Sequence, residues 1–330
     1  MKKPLSKILI IQTAFLGDVV LASALLEKLH QAHPDSELHF LLRKGNEAVF
    51  NGHPYIAKLW IFDKGQKLKN AFKIIKALRV ERYDLVINLQ RFAMSGIITA
   101  LSGAKRKIGF SKNPLSFLFS QSYEHSISTD GKQHEVDRNQ KLIADITDDV
   151  AAKPRLYPSV DDFKKVKEYK KAEYITIAPA SVWFTKQWPK EKWLEFMDSL
   201  PSALMVYLLG AKGDQSLCEE LKTKSKHKEI EVLAGQLSPL ASAALMQEAK
   251  MNYVNDSAPM HFASSVNAPV TAVYCSTVPA FGFGPLSDQS IIIETTEKLD
   301  CRPCGLHGYK KCPEGHFKCA INIDPARLIK

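Results

Sequence analysis

Three loops that follow predicted strands hold residue types that could do chemistry. The first, Thr13–Asp18, follows the apolar run Lys7–Gln12 and ends in Gly17 and Asp18. A carboxylate at the carboxyl end of a buried strand could act as a general base, and Gly17 would permit a tight turn before it. Asp18 also stands directly before an apolar helical stripe, where aspartate usually caps a helix. Spacing alone leaves both roles open and favours the cap.

The second loop, Ala178–Pro189, places Lys186 between Trp183 and Trp188. A lysine that follows a buried strand could pair with a phosphate group. A solvent-facing lysine beside two core aromatic residues is the commoner arrangement, so the loop by itself favours that alternative.

The third loop, Val254–His261, combines Asp256, Ser257, Pro259 and His261 in one short turn. Pro259 occupies an early helical position, and Asp256 or Ser257 would cap the helix. A helix amino terminus with small residues lets backbone amides approach an anion closely. A capped helix without a ligand explains the same residues, and the pattern does not separate the two.

Motifs of several common enzyme classes are absent from the sequence. There is no G-x-G-x-x-G after the first strand and no G-x-x-x-x-G-K-[ST], which disfavours nicotinamide-dependent Rossmann enzymes and P-loop proteins. No Asp-x-Asp pair stands at a strand end to hold a divalent metal on a diphosphate. Phosphate recognition would therefore depend on backbone amides, helix amino termini and basic side chains.

The elements that must position these loops alternate between strand and helix in both halves of the chain. The predicted strands are Lys7–Gln12, Glu37–Leu42, Ala57–Phe62, Asp84–Leu89, Lys107–Phe110, Tyr174–Ala178, Met205–Leu209, Glu229–Leu233, Met251–Val254 and Val270–Tyr274. The predicted helices are Val19–His33, Lys67–Val80, Pro189–Leu200, Asp214–Ser225, Pro239–Lys250 and Pro259–Val266. In the helix Lys67–Val80 we expect Leu68, Phe72, Ile75 and Leu78 to face inward.

This alternation predicts doubly wound parallel sheets. The proline-containing stretch Ala151–Asp161 interrupts the series and predicts a linker. We therefore expect an α/β protein of two doubly wound domains, residues 1–155 and 156–330, facing a central cleft. Ligands of such sheets bind outside the carboxyl ends of the strands, so the three loops would face that cleft.

The charge of the chain indicates an anionic partner. Its 330 residues carry a formal net charge of +10, and residues 1–150 contain 22 basic against 15 acidic residues. Five lysines of this half lie along one loop and helix: Lys64, Lys67, Lys69, Lys73 and Lys76. Each lysine taken singly is more commonly part of a solvated face. Because aromatic residues are not interleaved with the basic clusters, we expect no nucleic-acid partner.

The opening sequence MKKPLSKILII predicts a buried strand rather than a secretory signal, because Gln12 and Asp18 interrupt the apolar run. No segment of the sequence combines the length and apolarity of a membrane span. We therefore expect a cytoplasmic protein whose contact with a membrane is at most peripheral.

Four of the six cysteines form the spacing C-x2-C-x7-C-x6-C: Cys301, Cys304, Cys312 and Cys319. A cytosolic location argues against disulfides. Cysteines and nearby histidines in this number could complete a tetrahedral zinc site, although the second half of the spacing lacks a C-x-x-C knuckle. We expect reduced thiols and no cofactor, with structural zinc at these four cysteines as the alternative.

Four motifs occur in order along the chain: LGDVVLASALLEKL, K-x-W-P at Lys186–Pro189, G-x-x-x-D at Gly210–Asp214, and D-S-x-P-M-H at Asp256–His261. Together they resemble glycosyltransferase family 9, the heptosyltransferase family of lipopolysaccharide core synthesis. The resemblance runs from about residue 7 to the carboxyl terminus and implies the GT-B fold, two Rossmann-like domains without a catalytic metal. It also implies that the first domain binds the acceptor and the second binds ADP-heptose.

The resemblance implies roles for individual residues as well. Asp18 matches the family's proposed catalytic base, and Lys186 matches the lysine that contacts the donor diphosphate. Asp214 matches an acidic residue near the adenosine ribose, and Ser181 falls at a loop position that contacts phosphate.

The turn at Asp256 and His261 matches the turn that holds the donor sugar and phosphates. This chain has Ala258 where the family usually has glycine, and a methyl group there would narrow the approach to phosphate. The remaining expected substrate contacts are Gly17, Ser257, Ala258, Met260, Lys64, Lys67 and Lys69.

These observations predict an inverting, metal-independent glycosyltransferase that moves a heptose from ADP-heptose to an anionic inner-core lipopolysaccharide acceptor. The alternative is a non-catalytic protein of the same fold that binds a sugar nucleotide or an anionic glycolipid. Ala258 supports that alternative, whereas the presence of Asp18, Lys186 and His261 counts against it.

Overall fold

The computed structural model describes residues 5–329. The chain divides into two compact units. Unit 1 comprises the described residues up to Ile127 together with Gln133–Tyr157, and unit 2 comprises Ser128–Lys132 together with the described residues from Pro158 onward. The division after Tyr157 lies close to the predicted boundary, but the short segment Ser128–Lys132 of the first half belongs to unit 2.

Unit 1 is built on a six-stranded parallel sheet in the order β3-β2-β1-β4-β5-β6. Its strands are β1 (Lys7–Gln12), β2 (Glu37–Arg43), β3 (Ile56–Phe62), β4 (Leu85–Asn88), β5 (Arg106–Phe110) and β6 (Gln121–Tyr123). Its helices are α1 (Leu16–Leu21), α2 (Ser23–Ala32), α3 (Lys67–Glu81), α4 (Ala93–Leu101) and α5 (Glu135–Gln140). The central strands β1 and β4 are buried along nearly their whole length, as continuous apolar runs in a parallel sheet must be.

Unit 2 has the same topology, a parallel sheet in the order β12-β11-β10-β7-β8-β9. Its strands are β7 (Tyr174–Ala178), β8 (Met205–Leu208), β9 (Ile230–Val232), β10 (Asn252–Asn255), β11 (Val270–Tyr274) and β12 (Ser290–Glu294). Its helices are α6 (Val160–Val166), α7 (Lys190–Asp198), α8 (Gln215–Lys224), α9 (Pro239–Gln247), α10 (Ala258–Ser265) and α11 (Lys318–Ile321).

Both sheets reverse their strand order beside the first strand of the unit. The reversal lies between β1 and β4 in unit 1 and between β7 and β10 in unit 2. Open α/β sheets bind ligands at such a point, outside the carboxyl ends of the strands. The loops that carry Asp18, Lys186 and Asp256 follow three of these four strands.

The predicted α/β class, with two doubly wound sheets, is confirmed. The edge strands β6 and β12 were not predicted. β6 has only three residues and no apolar run, and β12 is only partly buried, with Ile292 40% exposed. The predicted linker is shorter than expected, since α6 begins at Val160 after a capping box formed by Ser159 and Asp162.

The helix predicted over Val19–His33 is divided into α1 and α2. The hydroxyl of Ser23 donates to Val20 O at 2.7 Å and accepts a hydrogen bond from Arg155 N at 2.9 Å. A serine that bonds back to the preceding turn competes with the helical hydrogen bonds and bends the helix.

Helix α3 has a different buried face from the predicted one. Ala71, Ile75 and Leu78 are buried, whereas Leu68 and Phe72 are 67% and 69% exposed. The expected inward position of Leu68 and Phe72 is therefore wrong. Residues 68 and 72 form one helical stripe, and residues 71, 75 and 78 form the adjacent one, so only packing decides which of them meets the sheet.

Among the helices of the described residues, none is both long enough and apolar enough to cross a bilayer.

Candidate active site

A lysine, an aspartate and a threonine meet at the carboxyl edge of the unit 2 sheet. Lys186 Nζ lies 2.6 Å from Asp256 Oδ2, and Thr277 Oγ1 donates to the same oxygen at 2.6 Å. The side chains of Lys186 and Asp256 are 15% and 8% exposed, so water screens this ion pair weakly. We call these three residues the Lys186 trio.

Asn255 holds the two loops of the trio together. Its Nδ2 donates to Pro179 O at 2.8 Å, and its Oδ1 accepts a hydrogen bond from Trp188 N at 2.9 Å. Asn255 is fully buried at the end of β10. Its two bonds fix the start and the end of the loop after β7, and therefore keep Lys186 beside Asp256.

The cysteine-rich tail packs on the same loop. Tyr309 N donates to Thr185 Oγ1 at 2.7 Å, and Ser276 Oγ donates to the same hydroxyl at 3.0 Å. Gly308 has a φ of +74°, and a Cβ there would lie 2.8 Å from Thr185 Oγ1 and 3.0 Å from Lys186 Cγ. Glycine is therefore required for the tail to approach Lys186 this closely.

Arg302 in the tail fixes the loop that carries Thr277. Its guanidinium donates to Cys275 O at 2.7 Å and to Thr277 O at 2.8 Å, and it pairs with Glu294 Oε2 at 2.6 Å. The side chain is 11% exposed. Because one planar group joins two carbonyls and a carboxylate, it holds the backbone from which Thr277 reaches Asp256.

Asp214 and Ser181 lie on loops at the same edge of the sheet. Asp214 follows β8, the neighbour of β7, and its Oδ2 accepts a hydrogen bond from Ala211 N at 2.8 Å. A Cβ on Gly210 would lie 2.8 Å from Asp214 Cβ, so the glycine of the G-x-x-x-D motif permits this turn. Ser181 O accepts a hydrogen bond from Gln187 Nε2 at 2.6 Å, which stabilises the loop of Lys186.

The turn after Asp256 opens α10. Ser257 precedes the helix without a side-chain capping bond, and Ala258 is the first helical residue. Met260 and His261 are buried, at 0% and 5% exposure. Met260 Sδ lies 3.4 Å from the Tyr274 hydroxyl, which donates to it, so the Met260 side chain belongs to the core of unit 2.

Asp18 lies in the first turn of α1, at the carboxyl end of β1. The residue that precedes α1 is Phe15, so Asp18 is not the helix cap, and the expected cap role is wrong. Gly17 lies inside α1 and does not form the expected tight turn. Asp18 is partly exposed at the edge of the unit 1 sheet where a ligand is expected.

Two polar side chains hold the loop that precedes Asp18. Lys64 Nζ donates to Thr13 O at 2.7 Å, and Asn46 Nδ2 donates to Ala14 O at 3.0 Å. Burial lowers the pKa of Lys64. The structure therefore brings Lys64 to the Asp18 loop.

Arginines and exposed aromatic rings lie at this edge of unit 1. The Arg43 guanidinium lies 5.5 Å from the ring centroid of Phe15, and that of Arg91 lies 5.4 Å from the centroid of Phe92. Phe15 and Phe92 are 50% and 56% exposed. Arg43 ends β2, and Arg91 follows β4 after a short turn. Cations over aromatic faces at a ligand-binding edge suit an anionic sugar. Lys67 and Lys69, by contrast, lie exposed on the first turn of α3.

The cysteines are free thiols. Burial raises the pKa of Cys319 to about 12 and also raises the pKa of Cys304. Cys301 Sγ lies 3.9 Å from His316 Nε2. Among residues 5–329, no group of three or more His, Cys, Asp or Glu is arranged to hold a metal ion. Metal ligation would require these cysteines as thiolates, and structural zinc stays the untested alternative to reduced thiols.

Lys186, Asp256 and Thr277 thus lie together at the carboxyl edge of the unit 2 sheet, and comparison with known proteins gives the family of the chain. The sequence profile described as glycosyltransferase family 9 (heptosyltransferase) matches residues 71–310. The chain belongs to glycosyltransferase family 9. Family membership identifies it as a glycosyltransferase rather than a binding protein without turnover, and the predicted family is confirmed.

Relatives match this glycosyltransferase over most of its length. Lipopolysaccharide heptosyltransferase 3 of Escherichia coli (strain K12) is 28% identical over 281 residues, which cover 80% of this chain and 81% of that protein. The solved glycosyl transferase family 9 structure from Veillonella parvula DSM 2008 matches with a TM-score of 0.84 at 22% identity, covering 100% of this chain and 96% of that chain.

A solved Escherichia coli heptosyltransferase with ADP-2-deoxy-2-fluoro heptose matches with a TM-score of 0.71 at 20% identity, covering 88% of this chain and 93% of that chain. These likenesses establish the GT-B fold of this glycosyltransferase.

Several residues of the candidate site were not predicted from the sequence. They are Thr185, Thr277, Arg302, Gly308, Arg43 and Arg91. A basic or hydroxyl residue within three positions after a predicted strand was the available signal for Thr277, Arg43 and Arg91. The tail residues carried no such signal, because their roles depend on packing: Gly308 meets a loop more than a hundred residues earlier, and Arg302 bonds the loop of Thr277.

Proposed function

We propose that this glycosyltransferase moves a heptose from ADP-heptose to an anionic inner-core sugar of lipopolysaccharide, with inversion and without a metal ion. The names of its relatives support the reaction class, since the Escherichia coli relative is a lipopolysaccharide heptosyltransferase. The solved Escherichia coli heptosyltransferase with ADP-2-deoxy-2-fluoro heptose supports the choice of donor. The Lys186 trio is the observation that carries the proposal.

The trio suits a donor diphosphate because Lys186 is held in place while its bond to Asp256 leaves two ammonium protons for a ligand. An ammonium group has three protons, and the bond to Asp256 uses one of them. The other two can bond phosphate oxygens as negative charge develops on the leaving nucleoside diphosphate. Asp256 also accepts a hydrogen bond from Thr277. Its carboxylate orients the Lys186 ammonium toward the phosphates and does not remove the positive charge that they meet.

Backbone groups and neighbouring loops complete the proposed donor site. The amino terminus of α10, at Ser257 and Ala258, adds a favourable dipole for a phosphate. His261 lies in the same turn. Asp214 would contact the adenosine ribose through its second oxygen, and Ser181 would contact phosphate.

On the acceptor side, Asp18 takes the proton from the hydroxyl that attacks the anomeric carbon. One base and one leaving group suffice for a single displacement, which inverts the configuration at that carbon. Lys64, with Lys67 and Lys69, would attract the anionic acceptor, and Gly17 would contact it from the first turn of α1, beside Asp18. Because the acceptor is attached to lipid, we also propose peripheral contact with the inner face of the inner membrane.

In this proposal, the cysteine-rich tail acts through packing rather than through a cofactor. Gly308 and Tyr309 support the loop of Lys186, and Arg302 supports Thr277. Lys186 then supplies the positive charge that a divalent cation supplies in metal-dependent transferases.

A donor screen tests the proposal. Calorimetry with purified protein should show binding of ADP-heptose and weaker or no binding of UDP- and GDP-sugars. Incubation with ADP-heptose and heptose-deficient lipopolysaccharide core should yield a product whose anomeric configuration, read by NMR, is opposite to that of the donor. Retention of configuration, or transfer from a UDP-sugar instead, would contradict the proposal.

A further inference from the structure

The outward face of α3 carries two bulky apolar side chains in its amino-terminal half. Leu68 and Phe72 are one helical turn apart and are 67% and 69% exposed. Single exposed apolar residues are ordinary, but neighbours at positions i and i+4 form one continuous patch. The adjacent stripe of the helix, Ala71, Ile75 and Leu78, is already buried against the core of unit 1.

Cations surround this apolar pair. The exposed basic residues of the helix are Lys67, Lys69, Lys73, Lys76 and Arg79. Glu81 is the only acidic residue in the helix sequence, and Lys7 and Lys58 each bind its carboxylate at 2.7 Å. The face therefore combines bulky apolar groups with a row of positive charge that its own helix does not neutralise.

We propose that this face docks on an anionic lipid bilayer. We define the docking face as Leu68, Phe72, Lys73 and Lys76. Leucine and phenylalanine side chains enter the boundary between headgroups and acyl chains, while neighbouring lysines approach the lipid phosphates. A second copy of the chain fits less well, because an isologous contact would set the same lysines against each other.

The location of α3 gives the docking a role in the reaction. The helix follows Lys64, whose Nζ donates to Thr13 O in the loop before Asp18. Docking through α3 therefore brings the loop of the proposed base to the membrane surface, where a lipid-attached acceptor lies. This role rests on the proposed function, whereas the docking itself does not.

Vesicle flotation tests the docking. The full-length protein should float with vesicles of phosphatidylcholine and phosphatidylglycerol in equal parts, but not with phosphatidylcholine alone, and high salt should release it. The double variant Lys73→Gln/Lys76→Gln should lower the partition coefficient by roughly 25-fold, since each lysine near an anionic surface contributes about fivefold. Leu68→Ser/Phe72→Ser should lower it by roughly tenfold or more.

Helix α6 offers a matched control in unit 2. Val160 there is 71% exposed, and Lys165 is an exposed lysine on the same helix. Val160→Ser/Lys165→Gln should bind vesicles like the wild type. All variants should keep the wild-type melting temperature, because each replaced side chain is exposed.

Transfer assays separate the docking from the reaction. Leu68→Ser/Phe72→Ser should keep wild-type turnover on a lipid-free core oligosaccharide and lose turnover on an acceptor embedded in vesicles. Vesicle binding without any transfer from ADP-heptose would refute the proposed function and leave the docking intact. Equal flotation of wild type and Leu68→Ser/Phe72→Ser would overturn the docking. The docking would also be overturned if the wild type were a dimer and Leu68→Ser/Phe72→Ser a monomer, because the face would then serve self-association.

Discussion

Lys186→Met removes the ammonium group that lies 2.6 Å from Asp256 Oδ2. Asp256 is left 8% exposed, with the Thr277 hydroxyl still donating to it. Removing one partner of a buried ion pair costs about 3–5 kcal/mol, and we expect the lower end because Lys186 is partly exposed and Thr277 remains. Urea unfolding followed by tryptophan fluorescence should report this loss, since Trp188 is buried in the core of the same unit.

The same variant should bind ADP more weakly. A lost charge-assisted hydrogen bond to phosphate costs about 1.5–3 kcal/mol, which raises the Kd by roughly 10- to 150-fold. Isothermal calorimetry with ADP measures this directly, at a temperature where the variant stays folded.

A double variant separates the two effects. Lys186→Met/Asp256→Asn removes both charges and should recover unfolding free energy to within about 1 kcal/mol of the wild type, but not the affinity for ADP. Lys190→Met is the control, because Lys190 is 40% exposed in its pair with Glu220 and should change stability by less than about 0.5 kcal/mol. Recovery of ADP affinity in the double variant would refute the reasoning, since Lys186 would then act only through the fold.

Further changes test the remaining roles. Asp18→Asn should lower kcat by roughly 10²–10⁴-fold with unchanged ADP affinity and melting temperature; near-wild-type turnover in steady-state kinetics would rule out a base role. Lys67→Gln/Lys69→Gln should raise the acceptor KM, more strongly at low ionic strength, without altering ADP binding; an unchanged KM at low salt would contradict this. Turnover should survive EDTA. Loss of turnover that magnesium or manganese restores would contradict metal independence. Unfolding in EDTA with release of zinc would assign a structural metal to the tail. Hydrogen bonds from two lysines lower the pKa of Glu81 from 4.5 to about 2, so its stabilising contribution is present above pH 4.5 and lost as the pH falls toward 2. Glu81→Gln should therefore be less stable than the wild type at neutral pH but not near pH 2 in urea titrations, and a difference that persists in acid would refute this account.

Several features of the molecule follow from the sequence without any coordinates. Continuous apolar runs predicted the central strands, since a strand buried on both faces of a parallel sheet needs apolar residues throughout. Helix signals such as the proline of α10 placed Asp256 at a strand–helix turn, and the motif order indicated the family. These predictions succeeded because they depend on neighbours within a few residues.

The wrong predictions for Asp18 and for the buried face of α3 also come from this dependence on neighbouring residues. Asp18 stands before an apolar stripe, as a helix cap does, yet α1 begins two residues earlier after Phe15. Leu68 and Phe72 fit a helical period as well as Ala71 and Ile75 do. A one-dimensional pattern gives a helix its period but not its rotation, which depends on the surface it meets.

Only the tertiary structure decided the composition of the Lys186 trio. Lys186, Asp256 and Thr277 follow different strands, and they meet because β7, β10 and β11 are neighbours in the sheet. Parallel apolar strands are alike in sequence, so strand order is set by the crossover helices and by contacts such as those of Asn255 rather than by any local pattern. The packing of Gly308 and Arg302 against these loops likewise exists only once the chain has folded, because the free energy of those contacts depends on residues far apart in sequence.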